Sequence, residues 1–284
     1  MIQADNLTFQ YPGGHEPAAK DLNFKIEPGE IFGFLGPSGA GKSTTQKILI
    51  GLLKGYSGKV TIMGKMLGDW GTDFYNHVGV GFELPNHYLK LTAMENLKFF
   101  GSFYSGEKDY AGLLEMVGLA QNAGKKVEDF SKGMKVRLNF IRAILHDPDI
   151  LFLDEPTSGL DPVNARKIKD IILDQKRNGK TIFITTHNMH DADELCDRIS
   201  FIVEGKLMIT STPKQLKLDH GESKVRIEYT GVGQTVKSDE FPMTGLAENL
   251  KFMDILNNRD LISIHSQEAS LDEVFIDVTG KNLV

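Results

Sequence analysis

One cysteine, Cys196, stands alone in 284 residues, so no disulfide can form within the chain. The lone thiol fits a reducing compartment and reads as a small, partly buried apolar residue. Nowhere do apolar residues run to the roughly 18 or more that a bilayer-crossing helix needs. The amino terminus, MIQADNLTFQYPGG, has no basic segment leading into an apolar one, so no signal peptide is expected. Positive charge is not in excess: 32 Lys and Arg against 38 Asp and Glu give a net charge of −6 and a pI near 5.8. That balance gives no support to nucleic-acid binding. No repeat or low-complexity segment stands out. What is present, 40% apolar and 25% charged, is ordinary for a globular chain with room for a full core and an appended unit.

The residues 150–157, ILFLDEPT, pose a chemical question. Four apolar residues read as a strand buried on both faces, yet the run ends in Asp154 and Glu155 side by side. Adjacent carboxylates at the edge of a core repel each other and lose hydration, so they persist where something such as a metal ion compensates.

Upstream, residues 22–26 alternate, 27–30 form a turn, and 31–35 form an apolar strand. A helix then starts near Lys42, with helical spacing to Leu53 and a stop at Lys54-Gly55. Between residues 88 and 148 helix starts replace strand signals. Thr92 and Glu95 form a capping box ahead of 96–104, Asp109 caps a helix to Val117, and Ser131 caps one that runs to His146. Buried strands at 150–153, 181–186 and 199–203 alternate with helices, which argues for a mostly parallel sheet covered on both faces. From about Pro213 the pattern changes to a strand at 225–229, a helix at 246–256, and short elements at 261–265 and 271–278. The fold expected is α/β: a core of residues 1–87 and 149–212, an inserted helical subdomain at 88–148, and a small α+β extension at 213–284.

Gly36, Pro37, Ser38, Gly39, Ala40, Gly41, Lys42, Ser43 and Thr44 fit G-x-x-x-x-G-K-[ST] between a predicted strand and a predicted helix, the context that gives this pattern meaning. Glycines let backbone amides turn inward around phosphates, and a helix amino end adds positive potential. Lys42 would reach the β and γ phosphates, and Ser43 would ligate Mg²⁺. Asp154 then has a role as the second metal ligand. Glu155, directed to the other face by strand alternation, would position an attacking water.

With these residues in place the chain, from Met1 to about Pro213, resembles an ABC transporter ATPase subunit. Residues 36–44 match its Walker A motif and ILFLDE its Walker B motif. Ser158-Gly159-Leu160-Asp161 is similar to the D-loop, and Thr185-Thr186-His187 to the strand end bearing the switch histidine. Phe130-Ser131-Lys132-Gly133-Met134 stands where the family writes LSGGQ. The resemblance implies ATP and Mg²⁺ as cofactors, the P-loop NTPase fold, Tyr11 stacking on adenine, and His187 near the γ-phosphate. It also implies that Ser131 and Gly133 face the nucleotide of a second subunit, so that two chains, alike or different, close over two ATP molecules. Lys132 and Met134 depart from the common signature. Glu83 falls where a glutamine usually helps bind Mg²⁺ and water, so it is counted with Ser43 and Asp154 among the metal ligands. The other histidines, His15, His77, His87, His146, His190, His220 and His265, are read as surface or packing residues.

The signature variant, the ending SLDEVF at 270–275 and the phrases VEDFSKGMKVRLNF and TTHNMHDADELCDRI resemble the exporter branch, in subunits of drug or fluoroquinolone exporters. The implied function is ATP hydrolysis, with Lys42, Glu155 and His187 catalytic, driving export of a drug-like or lipophilic compound. The permease lies on another chain and docks between the helical subdomain and the core, which places this subunit on the inner face of the cell membrane. The rivals are a soluble ABC ATPase outside transport and a regulatory module that holds ATP without turnover. A translation ATPase would carry two cassettes and a chromosome ATPase a long heptad insertion, and neither feature is present.

Overall fold

Strands of isoleucine, leucine, valine and phenylalanine build the centre of the larger of two compact units into which the chain divides, one spanning residues 1–210 and the other beginning at Ser211. The computed structural model describes residues 1–84, 86–231 and 233–281. In the first unit β1 (Ile2–Phe9), β2 (Ala19–Ile26), β4 (Ser57–Ile62) and β5 (Lys65–Met66) form an antiparallel sheet in the order β2-β1-β4-β5. A second sheet has the order β10-β9-β3-β8-β7-β6, from β3 (Ile31–Leu35), β6 (Val78–Gly81), β7 (Ile150–Asp154), β8 (Thr181–Thr186), β9 (Arg198–Val203) and β10 (Lys206–Ser211). The five strands from β9 to β6 run parallel. Every residue of β3, β7 and β8 is buried, as expected of strands covered on both faces.

Helix α1 (Lys42–Leu49) follows β3 through the glycine loop. Between β6 and β7 lie α3 (Ala93–Gly101), α4 (Tyr110–Met116) and α5 (Lys132–Ile144), after the single turn α2 (Phe74–His77). The Thr92–Glu95 capping box, Asp109 and Ser131 start α3, α4 and α5 as their spacing predicts. Helix α6 (Pro162–Arg177) starts on Asp161, with proline at the first position where its missing N–H costs nothing. Helix α7 (Met189–Leu195) joins β8 to β9.

Helix α1 stops at Leu49, short of the expected Leu53. Gly51 takes a left-handed φ of 76°, its N–H bonds Ile48 O, and the next N–H, of Leu52, reaches Lys47 O. That pair of bonds is a Schellman ending, which overrides the helical spacing of the residues beyond it.

The second unit has its own core of Val225, Ile227, Tyr229, Phe241, Phe252 and Ile255. Its antiparallel sheet, order β12-β11-β13, comprises β11 (Lys224–Thr230), β12 (Val236–Pro242) and β13 (Leu261–Gln267). Helices α8 (Pro213–His220), α9 (Leu250–Asn258) and α10 (Leu271–Thr279) complete it. The single helix expected over 246–256 is broken: a 3₁₀ turn at Leu246–Glu248 ends, and α9 begins afresh where the Asn249 side chain accepts from Phe252 N.

Candidate functional site

Register in the parallel sheet sets the site. Leu35 pairs with Thr186 and Asp154 with Thr185, so the carboxyl ends of β3, β7 and β8 lie side by side. This is the edge of an open α/β sheet where ligands bind. A cleft of about 270 Å³ opens there, lined by residues 38–44, Glu83, Asp154, Glu155 and His187.

The loop from Gly36 to Gly41 can take its course because glycines permit it. Gly41 has φ 107°, and a Cβ on it would fall 2.3 Å from Ala18 O. Helix α1 starts on this residue without a side-chain cap, so its first amides keep their donors free for an anion. Lys42 Nζ donates to Gly36 O at 2.6 Å and Pro37 O at 3.0 Å. Burial lowers its pKa, opposed by the charges of Glu155, Asp154 and Glu83. A cation held only by two carbonyl oxygens, which phosphate oxygens can replace, suits the capture of a phosphate, while the three carboxylates suit a metal ion bound with it.

Ser43 Oγ donates to Asp154 Oδ1 at 3.3 Å, and the Thr185 hydroxyl donates to the same carboxylate oxygen. A hydroxyl and a carboxylate, with Glu83 in the same cleft, form a hard-oxygen donor set that fits Mg²⁺ when phosphates supply further ligands. Glu83 stands on the segment after β6, tethered where Asn139 Nδ2 donates to Phe82 O at 2.8 Å.

Glu155 departs from the expected geometry. It lies one residue beyond β7 with φ 49°, in the left-handed region, and the alternation that would send it to the opposite face no longer applies. Both carboxylates therefore line the same cleft. Glu155 Oε2 accepts from Thr186 Oγ1 at 2.9 Å, while Oε1 accepts from His187 N at 2.9 Å and lies 2.7 Å from His187 Nδ1. The next turn is pinned as well: Thr157 Oγ1 donates to Asp191 Oδ2 at 2.5 Å, and Lys169 Nζ lies 3.2 Å from Asp191 Oδ1. The Thr157 bond ties the turn after Glu155 to α7, the helix after His187, and the buried Lys169–Asp191 pair ties α6 to the same helix.

Tyr11 is exposed near the loop, its hydroxyl 3.2 Å from Thr44 Oγ1 and its ring edge-on to Phe9. Ser131 and Gly133, at the amino end of α5, do not line the cleft. Lys132, in the place of a signature glycine, packs on the loop after Glu155: a Cβ on Gly159 would meet Lys132 Cε at 2.8 Å.

Sequence reasoning missed Thr185, Thr186 and Asn139. The two threonines follow the apolar centre of a fully buried strand, Ile182-Phe183-Ile184, a readable sign of buried hydroxyls with partners. Asn139 interrupts the apolar stripe of α5, which was also readable.

A family model described as ABC transporter matches residues 19–158, and the fluoroquinolone efflux ABC transporter C-terminal domain matches residues 223–268. The chain is 54% identical to a fluoroquinolones export ATP-binding protein of Mycobacterium tuberculosis, over all of this chain and 94% of that one. Identity is 38% to the bacitracin transport ATP-binding protein of Bacillus licheniformis, over 99% of this chain and 97% of the relative. A dimeric ATP-binding cassette in a post-hydrolysis state with ADP and Pi is a structural neighbour. Its TM-score is 0.68 at 29% identity, over 75% of this chain and 98% of that one.

Proposed function

This chain belongs to the ABC transporter family of ATP-binding subunits, and on that premise we propose that it hydrolyses ATP with Mg²⁺ to drive export of a drug-like or lipophilic compound. The observation that carries this reading is the cleft itself, where the glycine loop, Lys42, Ser43, Asp154 and Glu155 converge. Lys42 would exchange the Gly36 and Pro37 carbonyls for phosphate oxygens. Ser43 and Asp154 would hold the metal, with Glu83 beside them. Bound Mg²⁺ would neutralise charge on the phosphate oxygens as it develops. Glu155 would orient water and accept its proton, its carboxylate held in place by the Thr186 hydroxyl and the His187 amide. His187 Nδ1, already against Glu155, keeps the two side chains in one unit.

Ser131 and Gly133 would complete a second chain's site across a dimer, and the dimeric neighbour supports that arrangement. Leu84, Tyr88, Leu89, Phe99 and Phe103 are exposed, and the Tyr88, Phe99 and Phe103 rings stack edge to face. Such an apolar patch suits a permease segment, which would seat this subunit on the cytoplasmic face of the membrane. Among the described residues no helix is long and apolar enough to cross a membrane. The relatives are transport proteins matched along almost their whole length, which favours transport over a soluble or purely regulatory role.

Replacing Glu155 by glutamine keeps the size and removes the base. Steady-state ATPase should fall by ~10² or more while binding of a fluorescent ATP analogue is kept. Unchanged turnover by Glu155→Gln would reject the assignment.

A further inference from the structure

Asn139 is a buried polar residue, 4% exposed, on a face of α5 whose other members, Val136, Phe140 and Ala143, are apolar and buried. Its amide nitrogen and its oxygen are both engaged. Nδ2 donates to Phe82 O at 2.8 Å, and Oδ1 accepts from Arg142 Nη2 at 2.7 Å. The other arm of that guanidinium, Nη1, donates to Asn86 O at 2.5 Å, and its plane lies over the Phe100 ring at 4.5 Å. The two carbonyls gripped in this way bracket Glu83.

Arg142 has no carboxylate partner among the described residues, and burial lowers its pKa. A cation taken from water and given only carbonyls and an amide costs stability relative to an apolar side chain of similar size. Its value therefore lies in what it grips. Glu83 lies two residues beyond the end of β6, outside the ladder of that strand. Without the two bonds from α5, the carboxylate would depend on an exposed loop for its place.

We propose that Asn139 and Arg142 are positioning residues for Glu83, fixing the backbone on both sides of it so that its carboxylate stays at the Mg²⁺ end of the cleft. This rests on the ATP and Mg²⁺ reading given above. The pair is a second layer behind a metal-site carboxylate, where loss of an orienting hydrogen bond typically weakens metal binding by ~10–100-fold.

The test measures nucleotide binding by the full chain, with a fluorescent ATP analogue titrated in EDTA and at rising Mg²⁺. For Asn139→Ala the Mg²⁺ concentration that half-saturates the gain in binding should rise ~10-fold, while binding in EDTA, which rests on residues 36–44, stays unchanged. Asn139→Asp keeps the volume and the acceptor for Arg142 but loses the donor to Phe82, so it should give the same shift without emptying the core. In a Glu83→Ala background neither substitution should shift the midpoint further, because both act through one group. Additive shifts in that background, or an equal loss in EDTA, would make Asn139 a general packing residue and overturn the proposal. A wild-type chain that ignores the analogue under every condition would overturn the ATP reading first, and this inference with it.

Discussion

His87 Nε2 donates to the Lys135 carbonyl at 2.9 Å, which leaves Nδ1 as a buried nitrogen with no partner among the described residues. A second proton has nowhere to bond, and burial lowers the pKa from 6.5 to about 4. The sign of the effect follows. The folded-state pKa lies below the unfolded one, so between pH 6.5 and about 4 the unfolded chain takes up a proton that the folded chain refuses. Stability contributed by the neutral ring is present above 6.5 and is lost as pH falls through that window, by up to about 3 kcal/mol. Urea midpoints of wild type and His87→Gln between pH 7.5 and 5 should diverge, with the wild type falling more steeply as acid is added. Parallel curves would mean that the ring takes its proton without penalty.

At the scale of elements, α5 combines a cap with a candidate site. Ser131 Oγ accepts from Met134 N at 3.3 Å, a long bond for a cap. Ser131→Ala should cost only about 0.5–1 kcal/mol of stability. If the hydroxyl also meets a partner chain's nucleotide, turnover should fall by ~10², far more than that stability loss explains. Thermal melts and ATPase rates on the same preparation separate the two, and a rate that merely follows the folded fraction would leave Ser131 as a cap. The start of α5 was readable because capping has a local signature, and β3, β7 and β8 were readable because strands buried on both faces are apolar throughout. The glycine loop was the plainest feature, since its pattern fixes Gly36, Gly41, Lys42 and Ser43 within eight residues between a strand and a helix. Other elements hid for equally physical reasons. β12, with the sequence VKSDEFP, is an edge strand with mostly exposed side chains, so neither alternation nor apolarity marks it. The end of α1 depended on the backbone angle of Gly51, and the direction of Glu155 on one left-handed residue after a strand. Alternation cannot foresee that reversal, although it decides which face of the sheet receives the second carboxylate.

For the whole molecule, the proposed function predicts that Ser131 and Gly133, which lie outside the cleft of their own chain, form a wall of the cleft of a second copy. Two chains of 31.6 kDa, each with a net charge of −6, repel at long range, which opposes association and favours a ligand that bridges them. ATP can serve as that bridge when residues 36–44 of one chain and the α5 amino end of the other both hold it, and hydrolysis then removes the bridge. Glu155→Gln should therefore behave differently from the wild type. With ATP and Mg²⁺ its mass by light scattering should double, while the wild type returns to the monomer as nucleotide is consumed. Adding Lys42→Ala to the same variant should abolish the doubling, because the phosphates lose their principal cation on the first chain. Raising salt should strengthen association between the like-charged chains up to the point where it weakens phosphate binding, since screening acts on exposed charges more than on buried pairs. A Glu155→Gln chain that binds the nucleotide tightly yet stays monomeric at tens of micromolar would reject the shared site and leave each cassette to act through its own cleft.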